Sequence, residues 1–156
     1  MKWLRTSFGA ALLAACLDQA AMATTQNVIF NGTVTATCTL VVATNGTMMV
    51  SPDLQSLSSH NSGGSAGTVT LTTTGGVALS VDPVTTTTAP AADATATTWT
   101  PTYSASGAHT IVETGSATNL TVPGASLVSV NLAGTKGGSN RFASGNYQAT
   151  VTLRCE

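Results

Sequence analysis

An all-β antiparallel sandwich of about eight strands is the fold this sequence predicts, and three observations predict it. Apolar residues recur with period two along most of the chain, and no stretch carries a helical period of convincing length. The outward phase of the alternation is filled largely by threonine. Period two puts successive side chains on opposite faces, so such a strand packs one face on a core and shows the other to water. Only 7% of residues are charged, so hydroxyls carry the surface polarity. Val, Leu and Thr in alternation favour sheet over disorder.

The elements follow in order. From Val28 to Val42 the even positions Val28, Phe30, Val34, Ala36, Cys38, Leu40 and Val42 oppose a near-continuous threonine ladder. A short strand is expected at Thr47–Val50, then Thr68–Thr74 and Val77–Val81 joined by Gly75-Gly76, which suits a two-residue hairpin turn. Thr97–Tyr103, His109–Glu113 and Leu127–Ala133 come next, the last with Val128, Val130 and Leu132 inward. The final strand places Tyr147, Ala149, Val151, Leu153 and Cys155 on one face. Ser58–Gly67 and Gly134–Gly145 read as linkers, and the low-complexity Thr85–Thr98 as an exposed, mobile loop with little apolar surface to bury.

A targeting segment precedes this domain. Lys2 and Arg5 supply a positive start, Phe8–Leu17 an apolar run, and Ala21-Met22-Ala23 an Ala-x-Ala cleavage site. The run is too short for a permanent span, which needs roughly 20 residues. Residues 1–23 therefore read as a signal peptide and 24–156 as one exported β-domain. Leu13-Ala14-Ala15-Cys16 offers a competing cut, before a lipidated Cys16 that would tether the protein to a membrane. Either route takes the chain to the periplasm, the cell surface or the medium.

Export permits a disulfide, and Cys38 and Cys155 both fall on the inward phase of their strands, so they are expected to bridge. Past Ala23 the cations are Lys136, Arg141 and Arg154, against Asp53, Asp82, Asp93, Glu113 and Glu156, a sum of 3 − 5 = −2. Three scattered cations build no phosphate-binding face, so nucleic acid is not an expected partner. His60 and His109 lack metal-ligand neighbours in the sequence. Gly63-Gly64-Ser65-Ala66-Gly67 matches a nucleophile elbow only by letters, because polar residues precede it and a strand follows it. No catalytic residue, metal or cofactor is expected. Trp99 and Tyr103, four apart in one strand, share a face and are the candidate surface aromatics for a ligand.

Two stretches carry a family resemblance. Val28-Ile29-Phe30-Asn31-Gly32-Thr33-Val34 through Cys38 resembles the first strand of fimbrial subunits assembled by the chaperone–usher route. Gly145-Asn146-Tyr147-Gln148-Ala149-Thr150-Val151-Thr152 resembles their last strand, and is equally similar to secreted domains related to spore coat protein U. The resemblance implies an immunoglobulin-like, pilin-like sandwich lacking one strand, whose groove a neighbour's N-terminal extension fills by β-augmentation. The chain departs from that pattern in three ways. Only Thr24–Asn27 would precede a first strand starting at Val28, the bridge would span the whole domain, and the C-terminus Leu-Arg-Cys-Glu lacks the tyrosine-bearing tail. The expectation is an exported structural or surface-associated β-domain, open to strand pairing with itself or a surface partner but monomeric in isolation. An extracellular adhesion module for carbohydrate or a surface protein is the alternative.

Overall fold

The computed structural model describes residues 23–156, and among them it is all-β, with no helix. The signal-peptide reading and Cys16 fall outside the described residues. The chain divides at Gly32/Thr33 into two units. Of the first, residues 23–32 have no regular secondary structure and are exposed. The second unit, Thr33–Glu156, carries the sandwich-like body.

Twelve strands build it: β1 (Cys38–Thr44), β2 (Met49–Val50), β3 (Ser56–Ser58), β4 (Gly67–Thr73), β5 (Val77–Val81), β6 (Thr86–Thr88), β7 (Thr97–Gly107), β8 (Ile111–Thr114), β9 (Thr118–Leu120), β10 (Gly124–Lys136), β11 (Gln148–Thr150) and β12 (Leu153–Cys155). All pairings are antiparallel. The long β10 organises the larger sheet, pairing β7 along one edge and β4 then β3 along the other. Here β1 lies outside β4, β8 outside β7, and β2 outside β3. The remaining strands form two smaller sheets, one of β6 and β11 and one in which β5 pairs β12 on one side and β9 on the other.

The core between the layers is small and apolar. Leu71, Leu79, Tyr103, Leu120 and Val128 are essentially buried and come from β4, β5, β7, β9 and β10. The expected inward phases of β4, β5 and β10 hold, as does the alternation from Tyr147 to Glu156. Tyr103 also links the layers, its hydroxyl lying 2.8 Å from the Leu79 carbonyl and 2.9 Å from the Thr118 hydroxyl.

Three expectations are corrected. The first strand starts at Cys38, not Val28, because Cys38 pairs Thr73 at the end of β4 and the partner strand then runs out. Gly75-Gly76 is not a hairpin turn, since β4 and β5 belong to different sheets. Its two positive φ angles, 84° and 75°, turn the chain from one layer into the other, and a Cβ on Gly75 would lie 2.9 Å from the Thr121 carbonyl oxygen. The Thr85–Thr98 segment is not simply an exposed loop, because it contains β6 and a buried carboxylate at Asp93.

Candidate functional site: an open trough between two sheet edges

β1 pairs only with β4, while β11 and β12 pair only with β6 and β5. The two open edges belong to different layers and flank a trough of about 440 Å³. Leu40 and Val42 form one wall, Val151 and Leu153 the other, with Val69 and Val130 at the floor. Val42 is directly opposite inward-facing Val69 in the register, so it belongs to the core face, yet it is 66% exposed. An inward-phase valine left this open is an unfinished core, since burying such a side chain contributes roughly 1.5–3 kcal/mol. Toward the other end the lining turns polar, with Thr44, Asn45, Thr47 and Gln148. Among the described residues no charged side chain lines the trough.

The bridge bounds one end. Cys38 and Cys155 are joined across the two edges, with Cα atoms 6.1 Å apart and a sequence separation of 117. Closing a loop of that length removes unfolded-state entropy worth roughly 5 kcal/mol on the chain-entropy model. A bridge of this kind belongs to an oxidising environment. The pairing is as expected, but it ties only one end of the two edges and leaves the rest of the trough open.

The wall carried by β11 is fixed from behind by a polar cluster that inspection of the sequence missed. Asp93 and Lys136 form an ion pair at 2.8 Å with both side chains 1% exposed, and Lys136 Nζ also donates to the Thr95 carbonyl. The Tyr147 hydroxyl donates to the other Asp93 oxygen, one residue before Gln148 enters β11. Phe142 packs edge-on against the Tyr147 ring, and the Lys136 ammonium sits 4.8 Å from the Phe142 centroid. The Lys136 ammonium and then the Tyr147 hydroxyl hold the Asp93 carboxyl well below the usual carboxylate range, against the opposing effect of burial. Burial, together with the bond to Asp93, pushes Tyr147 up to about 12. One signal in the sequence could have found this cluster. In a chain so poor in charge, Asp93 is the lone charge of its low-complexity segment and Lys136 the only lysine past Lys2.

The other candidates are placed as follows. Tyr103 is fully buried between the layers, so it is not a surface contact, and Trp99 is half-buried against Gly134 on the neighbouring strand. Strand geometry gives the reason: both share the inward face of β7, and Tyr103 lies further into the core. His60 pairs with Glu113 at 2.9 Å on the surface. His109 is buried, its ring bonded to Ser126 and the Val122 carbonyl. Among the described residues no cluster of His, Cys, Asp and Glu is arranged to hold a metal, and no helix is long and apolar enough to cross a membrane. No family model, no curated protein and no solved structure matches the chain.

Proposed function

We propose that this protein is an exported, non-catalytic structural subunit of a surface assembly, fimbrial or coat-like, whose body is completed by an extended strand from a second copy. The observation that carries this reading is the uncharged trough, apolar at the end of Leu40, Val42, Val151 and Leu153 and polar at the other, between two strand edges without a sheet partner. An inserted strand would gain main-chain bonds along an edge and bury alternate side chains.

The chain itself contains a matching segment. Val28, Ile29, Phe30 and Val34 are among its most exposed large apolar residues, and residues 24–37 carry no charge, like the trough. The monomer expectation counted four residues ahead of a strand starting at Val28. With β1 starting at Cys38, and with Thr35 and Thr37 hydrogen-bonded to Thr73 and Thr74, residues 24–34 precede the bonded stretch, and at ~3.3 Å per residue they reach about 36 Å. That length suffices to leave one body and lie along the trough of another. The reading also agrees with the fimbrial resemblance of the first and last strands.

Val42→Asp tests it, because Val42 is exposed in the single copy and is spared the cost of a core mutation. The full exported chain should associate in light scattering and take up a labelled peptide of residues 24–37, while Val42→Asp should remain folded and do neither. A wild-type chain that stays monomeric at high concentration and ignores the peptide would sink the proposal.

A further inference from the structure

Resting on the trough being a strand acceptor, we infer that Asn31-Gly32 is a self-modifying site that limits how long an unassembled copy stays competent to donate its strand. The sequence has two Asn-Gly pairs, Asn31-Gly32 and Asn45-Gly46, each followed by threonine. One lies in the apolar segment ahead of β1 and the other in the lining of the trough. An asparagine followed by glycine can close on itself, because no side chain shields the glycine nitrogen. That nitrogen gives up its proton to solvent and attacks the asparagine Cγ. The Cγ–Nδ2 bond breaks, and ammonia leaves with a proton returned by solvent. Water then opens the five-membered succinimide ring. Breaking its bond from nitrogen to Cγ yields aspartate. Breaking the bond to the main-chain carbonyl carbon yields isoaspartate, whose backbone runs through Cγ.

The fold separates the two pairs. Ring closure swings the glycine nitrogen toward the side chain, so it needs a backbone clear of ladder bonds and close neighbours. Asn31 and Gly32 are exposed and outside any strand, and a Cβ built on Gly32 meets nothing. The Gly32 N–H has no acceptor among the described residues. Asn45-Gly46 is held on both sides. Thr44 before it is the last residue of β1, and after it the Thr47 N–H and carbonyl each bond Ser65 at 2.9 Å. A Cβ on Gly46 would lie 2.9 Å from the Gly67 nitrogen. Conversion at Asn31 acts on donation. Residues 24–37 carry no charge, nor does the lining of the trough, and aspartate brings one beside Phe30. Isoaspartate adds a carbon to the main chain between Phe30 and Gly32. The amides and alternate side chains on its two sides then no longer keep step with one acceptor edge. In an inserted strand, ladder bonds hold the segment extended and the ring cannot close. Insertion thus protects the site, while a copy left single converts.

Ageing the full exported chain in mildly alkaline buffer, diluted so that single copies prevail, tests the inference. Peptide mapping should find Asn31 converted to aspartate and isoaspartate with Asn45 intact, and the aged chain should lose self-association in light scattering. Gly32→Ala, whose methyl shields the nitrogen, should keep both Asn31 and association over the same period. Labelled 24–37 peptides give a second reading. Fresh wild-type chain should take up the peptide containing Asn31. A peptide with isoaspartate in its place should bind roughly tenfold more weakly, the loss in affinity from displacing about one buried apolar side chain. The inference is overturned, with the acceptor reading left standing, if Asn31 stays intact, if Asn45 converts as fast, or if Gly32→Ala loses association on ageing as wild type does. Equally strong uptake of the two peptides overturns it too. If fresh chain takes up neither peptide, the acceptor reading itself fails, and the inference with it.

Discussion

Residues 28–37 and residues 85–98 make opposite use of their composition. The first carries the clearest β alternation in the chain, yet it forms no strand, and its apolar side chains lie open to water. The second is threonine, alanine and proline with one charge, and it holds a strand, β6, and a buried ion pair. The difference lies in partners. Alternation makes a segment competent for a sheet, but a strand exists only where another edge meets it, and β4 ends at Thr73. In the second segment little apolar surface is available, and one carboxylate with three donors does the ordering instead: Asp93 accepts from Lys136, Tyr147 and Thr95.

Removing Asp93 is the strongest way to break that contrast. Asp93→Ala leaves the Lys136 ammonium buried without its counter-charge, a situation that typically costs roughly 3–5 kcal/mol. Urea unfolding should show a loss of that size, and hydrogen exchange should show 88–97 opening together with the start of β11. A loss below about 1 kcal/mol would mean the ion pair is not what orders the segment. Alkaline titration gives a smaller effect with a definite sign. Tyr147 is pushed up to about 12 in the folded protein, against an ordinary value near 10. Its contribution is therefore complete below about pH 10 and declines as pH rises toward 12, because the unfolded chain releases the proton first. Stability measured from pH 8 to 12 should fall in that window, and Tyr147→Phe should remove this component of the fall. For Asp93 the sign is opposite: its depressed pKa stabilises above the ordinary carboxylate range, and the contribution is lost only as pH falls through the lower folded value.

Much of the fold was legible because inward phase is a local property. Val69 and Leu71, Leu79 and Val81, and Val128 and Leu132 could each be assigned from their own strands, and Cys38 and Cys155 could be paired because both shared that phase. Layer membership was not legible. Gly75-Gly76 has the composition of a hairpin and serves as a crossing between sheets, and nothing within four residues of it distinguishes the two. The trough was hidden for a related reason: Val42 looks like an ordinary core position, and only its exposure in the folded chain reveals otherwise. The cluster around Asp93 joins residues more than 40 positions apart, which no local period records.

The smallest expected stability effect is the most telling one for the segment at the front of the chain. Phe30 is 92% exposed, and truncating an exposed side chain away from special features usually changes stability by no more than about 0.5 kcal/mol. Phe30→Ser should therefore unfold in urea at the same midpoint as the wild type, measured at a dilution where single copies prevail. Association should respond very differently. Burying a phenylalanine contributes roughly 1.5–3 kcal/mol, and 1.4 kcal/mol is tenfold in affinity, so self-association should weaken by about ten- to a hundredfold. A midpoint shift worth more than about 1 kcal/mol would mean that Phe30 already packs on its own chain, and the contrast between an unpartnered front segment and a pinned loop would collapse. An unchanged midpoint with unchanged association would leave the contrast standing but remove Phe30 from the surface that joins two copies.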